Sequence, residues 1–151
     1  MKGLKQMYFV DREKIESILA FVDQQLSLFE EKREWKTAVE KAALERVCHT
    51  VMEGILDVGN AMIDGFIMRD PGSYDDIIDI LEDEKVISVE MSKGLKAIIS
   101  YRKMLVQNYT EIVHEDLQNV FQHELETLKK FKVNVQQYLL NELGPVSAFR
   151  N

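Results

Sequence analysis

Between Tyr101 and Tyr109 the chain reads Tyr-Arg-Lys-Met-Leu-Val-Gln-Asn-Tyr, and Arg102, Gln107 and Tyr109 within it are side chains that can act on a phosphate or a nucleobase. An arginine guanidinium clamps a phosphate through two parallel charge-assisted hydrogen bonds. A glutamine amide donates and accepts hydrogen bonds, so it can hold a phosphate oxygen or a base edge, but it has no proton to exchange near neutral pH. Arg102 also interrupts an apolar stripe formed by Met91, Leu95, Ile98, Arg102, Leu105 and Tyr109, spaced alternately by fours and threes. A charge on such a seam needs a carboxylate or a second subunit to meet it, because an unpaired buried charge is costly. Glu53 and Asp57, on a polar line upstream, are the carboxylates expected to supply that contact. The plain alternatives are a structural ion pair for Arg102, a solvated helix end for Gln107 and a packed ring with a wet hydroxyl for Tyr109.

Other titratable residues make weaker patterns. His49 and Glu53 lie one helical turn apart, and Glu111-Ile112-Val113-His114 is a Glu-x-x-His. A di-iron bundle needs two such motifs and two further glutamates on facing helices. Only one is present, so neither a metal nor a cofactor is expected. His49, His114 and His123 read as surface or packed histidines, with His114 near enough to the Arg102 segment to supply a displaced imidazole. Glu53 and Asp57 also have a plain reading, as partners of Arg46 or Arg102. Cys48, the single cysteine, cannot form an internal disulfide and reads as a packed thiol. The chain shows no glycine-rich phosphate loop, serine–histidine elbow or zinc spacing.

The elements that must position these residues are helices. Asp11 is an N-cap for a first helix whose apolar stripe is Ile15, Leu19, Val22, Leu26 and Phe29. Thr37 with Glu40 three residues on forms a capping-box signal for a second. This helix is expected to run to about Met68, where Arg69-Asp70-Pro71-Gly72 reads as a stop. It carries the apolar line Leu44, Val47, Val51, Ile55, Val58 and Met62, and the polar line Arg46, Thr50, Glu53, Asp57, Asn60 and Asp64. Ser73 and Asp76 begin a short third helix bearing Ile77, Ile78, Ile80 and Leu81. Ser88 caps a fourth, expected to continue to about Gln107 with the chemical segment at its end. A fifth begins near His114 and ends at Gly144-Pro145, the usual order for a helix C-terminus. Gly54 and Gly59 suit close packing or a bend in the second helix.

Two prolines and seven glycines in 151 residues leave long helices uninterrupted, and the length suits one domain, 1–151, with its core at about 8–143. The expected fold is all-α, an up-and-down bundle of about five helices. A formal net charge of −7 opposes general nucleic-acid binding, so any RNA contact must use a local basic patch. Lys93, Lys96, Arg102 and Lys103 give the fourth helix that local bias, and Lys96, Arg102 and Lys103 are the RNA-binding candidates. No apolar run reaches membrane-spanning length and the N-terminus lacks the apolar core of a signal peptide, so a cytoplasmic protein is expected.

The Tyr101–Tyr109 segment resembles the motif of the HepT-like branch of the HEPN family, prokaryotic toxin RNases. There the segment reads Arg, usually Asn, three mostly apolar residues, His, one residue, then Tyr. Arg102 and Tyr109 match, Leu105 and Val106 fit the apolar stretch, and Lys103 and Gln107 stand where the family has Asn and His. ALERVCHTVMEGILDVGN resembles the family's second helix, and GSYDDIIDILEDEKVI resembles its connecting segment. The resemblance spans roughly Tyr8 to Leu139.

The resemblance implies a HEPN-like bundle that forms a homodimer through its second and fourth helices. It implies a metal-independent endoribonuclease site built from Arg102, Gln107 and Tyr109, with Glu53 and Asp57 in support. It further implies that Tyr109 accepts AMP groups where a minimal nucleotidyltransferase antitoxin is the partner. Gln107 cannot carry the proton that RNA cleavage requires, so cleavage is expected to be weak or absent while RNA binding is kept. The alternative is a catalytically inert dimeric interaction module for a protein or nucleotide partner.

Overall fold

The computed structural model describes residues 8–145, so the N-terminal segment used for the signal-peptide reading lies largely outside the described residues. Every regular element among the described residues is helical.

Helix α1, Arg12–Glu31, starts where the Asp11 carboxylate accepts the Lys14 N–H at 3.1 Å. Its expected stripe, Ile15, Leu19, Val22, Leu26 and Phe29, is buried throughout. Helix α2, Ala38–Gly65, opens with a complete capping box: Thr37 Oγ1 accepts from Glu40 N at 3.1 Å, and Glu40 Oε1 accepts from Thr37 N at 2.9 Å. These two helices pack along their length, and Gly54 permits the approach, since a Cβ there would collide with the Val22 side chain.

Helix α2 stops at Gly65, short of the expected Met68. A Cβ at Gly65 would lie 2.9 Å from the Val10 Cα, and Phe9 N donates to Gly65 O at 3.2 Å, so the segment leading into α1 crosses at this point. Helix α3, Tyr74–Asp83, is capped by the Ser73 hydroxyl, which accepts from Asp76 N at 3.1 Å. Ile77, Ile78, Ile80 and Leu81 dock it onto α2. Ser88 caps α4, Val89–Ile99, which buries Met91, Leu95 and Ile98.

The fourth helix does not continue to Gln107 as expected. Ser100 and Tyr101 form a turn, and the chain restarts as the five-residue helix α5, Arg102–Val106, followed by a 3-10 turn, Tyr109–Glu111. The Ser100 hydroxyl donates to Ala97 O at 2.7 Å, and Tyr101 N bonds the carbonyl of Ile98 rather than continuing the wider α pattern. A serine that bonds back to its own helix competes with the backbone ladder and bends it.

The fifth helix is also divided. Helix α6, His114–His123, ends at Glu124, and α7, Leu125–Leu143, continues to Gly144, whose φ of 80° suits glycine. At the division Gly94 of α4 faces Glu124 and Thr127, with no room for a side chain between them. The buried apolar side chains of all these helices except α5 join one cluster, with α2 packed against α1, α3, α5 and α6.

Candidate functional site

The break at Ser100–Tyr101 makes Arg102 the first residue of α5 and turns it toward α2. Its Nε donates to Glu53 Oε2 at 2.6 Å, and its Nη2 reaches Glu53 Oε1 at 3.4 Å. The Arg102 side chain is 20% exposed and that of Glu53 37%. The Glu53 carboxylate holds the guanidinium's pKa above its ordinary value, against the opposing effect of partial burial. On its other side the guanidinium lies over the Tyr74 ring, with its carbon 4.4 Å from the ring centroid. Arg102 is thus fixed between a carboxylate edge and an aromatic face, on a seam that is wet rather than sealed.

Asp57, one turn beyond Glu53 on α2, is exposed and does not share this contact. Lys96 is ion-paired with Asp79 of α3, which raises the lysine's pKa, so its charge is already answered within the fold. Lys103 and Gln107 are exposed and join Arg102 on one groove of about 370 Å³ between α3 and α5, with Tyr74, Asp75 and Ser100 on its walls. Tyr109 stands outside that groove on the 3-10 turn, 67% exposed.

Two imidazoles lie on the neighbouring surface of α2. His49 Nε2 is 3.8 Å from Glu53 Oε2, the same oxygen that Arg102 uses. His114 Nε2 is 2.7 Å from Glu45 Oε2, an ion pair when the ring is protonated, and it ties the start of α6 to α2. His49 lines a smaller recess of about 230 Å³ together with Glu45 and Leu105, and neither imidazole lines the Arg102 groove. His114 is therefore engaged elsewhere and does not enter the groove. Among the described residues no cluster of three or more His, Cys, Asp or Glu has the geometry to hold a metal ion. Cys48 is buried, and that burial pushes its thiol pKa up, as a packed thiol requires.

Tyr74 is the site residue that sequence reasoning passed over. The signals read there were the Ser73 cap and the four apolar residues that dock α3, and a lone aromatic in the first turn carries no periodicity. Its stacking on Arg102 joins residues 28 positions apart and becomes visible only when α3 and α5 are set side by side.

The comparisons with known proteins agree with this architecture. The HepT-like ribonuclease family matches residues 12–135. The candidate RNase YutE of Bacillus subtilis (strain 168) is 50% identical over 144 residues, covering 95% of this chain and 100% of YutE. The solved structure of YutE, described as a cytosolic protein of unknown function, superposes with a TM-score of 0.91. A tri-AMPylated Shewanella oneidensis HEPN toxin, solved in complex with an MNT antitoxin, shares the fold at a TM-score of 0.73 with 18% identity, covering 82% of this chain and 96% of that one. No helix among the described residues is long and apolar enough to cross a membrane. With a family match over most of its length and a half-identical relative covered end to end, the chain belongs to the HepT-like ribonuclease family.

Proposed function

We propose that this protein is an RNA-directed member of its family that binds RNA through Arg102 and Lys103 and cleaves it weakly or not at all. The observation that carries this reading is the groove itself: Arg102, Lys103 and Gln107 share it, and no imidazole enters it. Arg102 is held rigid by Glu53 and Tyr74, which preorganises it for a phosphate. Gln107 can hold RNA but cannot remove the 2′-hydroxyl proton or protonate the leaving oxygen. Loss of general acid–base catalysis costs about 10²–10⁴-fold in rate. In this reading the chain is one cytoplasmic domain, 1–151, that works as a homodimer, as the cytosolic description of YutE and the exposed apolar side chains near the motif support.

The exposure of Tyr109 favours a second element. Its ring stands on a surface turn where a nucleotidyltransferase could reach the hydroxyl, and an AMPylated HEPN toxin with an MNT antitoxin shares the fold. A minimal nucleotidyltransferase antitoxin is thus a proposed partner, with Tyr109 as acceptor. The competing reading, an inert dimeric module for a protein or nucleotide partner, draws on the same missing imidazole.

The test is cleavage of bulk cellular RNA by the purified protein in EDTA. The wild type should give little product, Gln107→His should raise it, and adding Arg102→Ala should abolish the gain. Strong wild-type cleavage would refute the role given to Gln107, and His49 and His114 would be the next imidazoles to replace. No gain in Gln107→His, together with no RNA retained by the wild type, would favour the inert module.

A further inference from the structure

Tyr74 opens α3, and one face of its ring is taken by the Arg102 guanidinium, yet 49% of the residue remains exposed. A half-exposed aromatic residue beside a fixed cation can serve as a stacking platform for a nucleobase, because every base presents a π-face and the cation strengthens the stack. The groove that Tyr74 walls, about 370 Å³, lies within the range of small-molecule sites and suits one nucleotide.

We propose that this groove is a subsite for one unpaired nucleotide of single-stranded RNA, with the base stacked on Tyr74, its edge met by Gln107 and its phosphate held between Arg102 and Lys103. The inference rests on the RNA-directed reading above and adds to it the form of RNA and the residue that grips the base.

Charge sets the polarity of the bound nucleotide. Asp75 stands on the Tyr74 wall and repels a phosphate there. Its neighbour Asp76 is already held by Arg69, through two contacts of 2.8 Å, and by the Gly72 N–H. Lys103, on the opposite wall, attracts the phosphate. The base therefore lies toward α3 and the phosphate toward α5.

Arg102 can serve such a phosphate without leaving Glu53. The carboxylate takes the Nε and Nη2 edge of the guanidinium, and the Nη1 end is not part of that contact. Gln107 offers a donor and an acceptor on one planar amide, the pattern that pairs with a base edge. A duplex cannot use the site, since its bases are already stacked on each other and only an unpaired base can be splayed onto a ring.

The experiment is fluorescence anisotropy with a short labelled oligoadenylate, a duplex of equal length and a chain of the same length made wholly of abasic ribose phosphate. The oligoadenylate should bind more tightly than either of the others. Tyr74→Ala should weaken its binding about tenfold, the order of one base–aromatic stack, and Tyr74→Phe should keep it. The abasic chain should lose much less in Tyr74→Ala than the oligoadenylate does, because it has no base to stack and Glu53 still holds Arg102. Equal weakening of the abasic chain would overturn the stacking role and leave Tyr74 as a support for Arg102. Duplex binding as tight as single-strand binding would also overturn the proposal. Oligoadenylate binding that is lost in Arg102→Ala but unchanged in Tyr74→Ala would remove the subsite and leave the RNA-directed reading standing. Binding of none of the probes by the wild type would remove both.

Discussion

Arg102 has two neighbours that hold it, and their exposure sets what its removal costs. A fully sealed Arg–Glu pair would strand a carboxylate and cost about 3–5 kcal/mol when broken. Here Glu53 is 37% exposed and can be solvated once the arginine is gone. Arg102→Ala should therefore destabilise by only about 1–2 kcal/mol, the sum of a partly exposed ion pair and a cation–π contact, measured as a shift in urea midpoint. A loss above that range would mean the pair is sealed in solution, as by a second subunit. Cys48 permits an independent check at the same scale. Its thiol is buried in the core and its ionisation is suppressed, so a thiol-specific reagent should leave the native protein unmodified and react only as it unfolds. Rapid labelling without loss of helix content would contradict the packing around α2.

Among the elements, the start of α2 depends on a few polar contacts. Thr37 and Glu40 satisfy each other's backbone N–H groups, and Lys32 reaches Glu40 at 2.6 Å. Thr37→Ala should cost about 1 kcal/mol, as capping residues generally do. The Glu40 carboxyl is held down to about 2, first by Lys32 and then by the N–H groups of Thr37 and Lys36. Asp76 is likewise held down to about 2, chiefly by Arg69 and the Gly72 N–H. Both groups have folded-state pKa values below their unfolded ones. Their stabilising effect is complete above the ordinary carboxylate range and fades as pH falls from about 4.5 toward 2. An acid titration followed by circular dichroism should show a loss in that window that shrinks in Glu40→Gln and Asp76→Asn. If both variants follow the wild-type curve, the carboxylates are not held as the geometry implies. α5 differs in kind: it is five residues long and buries none of them, so its position depends on Arg102 and on α2 more than on its own propensity.

For the molecule as a whole, the surface around the motif bears on assembly. Val106, Tyr109 and Val113 are each at least 40% exposed along the segment from α5 to α6, and Tyr74 lies beside α5. A monomer that displays apolar groups around a charged groove invites a partner, and an isologous dimer would pair the same surface on both copies. Light scattering across a dilution series is expected to give a dimer. A folded monomer at micromolar concentration would count strongly against a shared site, while leaving the single-protomer groove intact. The net charge of −7 enters at this scale too, since it opposes any RNA contact outside a local basic patch, and a contact through Arg102 and Lys103 alone neutralises few phosphates and should depend only modestly on salt.

Helical class, the caps at Asp11, Thr37, Ser73 and Ser88, and the buried stripe of α1 were legible in the sequence because they are local: each depends on side chains within one or two turns of each other. The pairing of Arg102 with a carboxylate of the second helix was also legible, from a charge standing on an apolar stripe, but periodicity alone could not separate Glu53 from Asp57. That choice was made by tertiary structure. The Ser100–Tyr101 break rotates Arg102 out of the α4 stripe, and the crossing of α5 over α2 brings it to Glu53 while Asp57 stays in solvent. The same break places Gln107 in a groove and Tyr109 outside it, although the two lie two residues apart. Tyr74 joined the site for the same reason: its contact with Arg102 is set by how α3 and α5 lie against α2, and no pattern of neighbours along the chain encodes that distance.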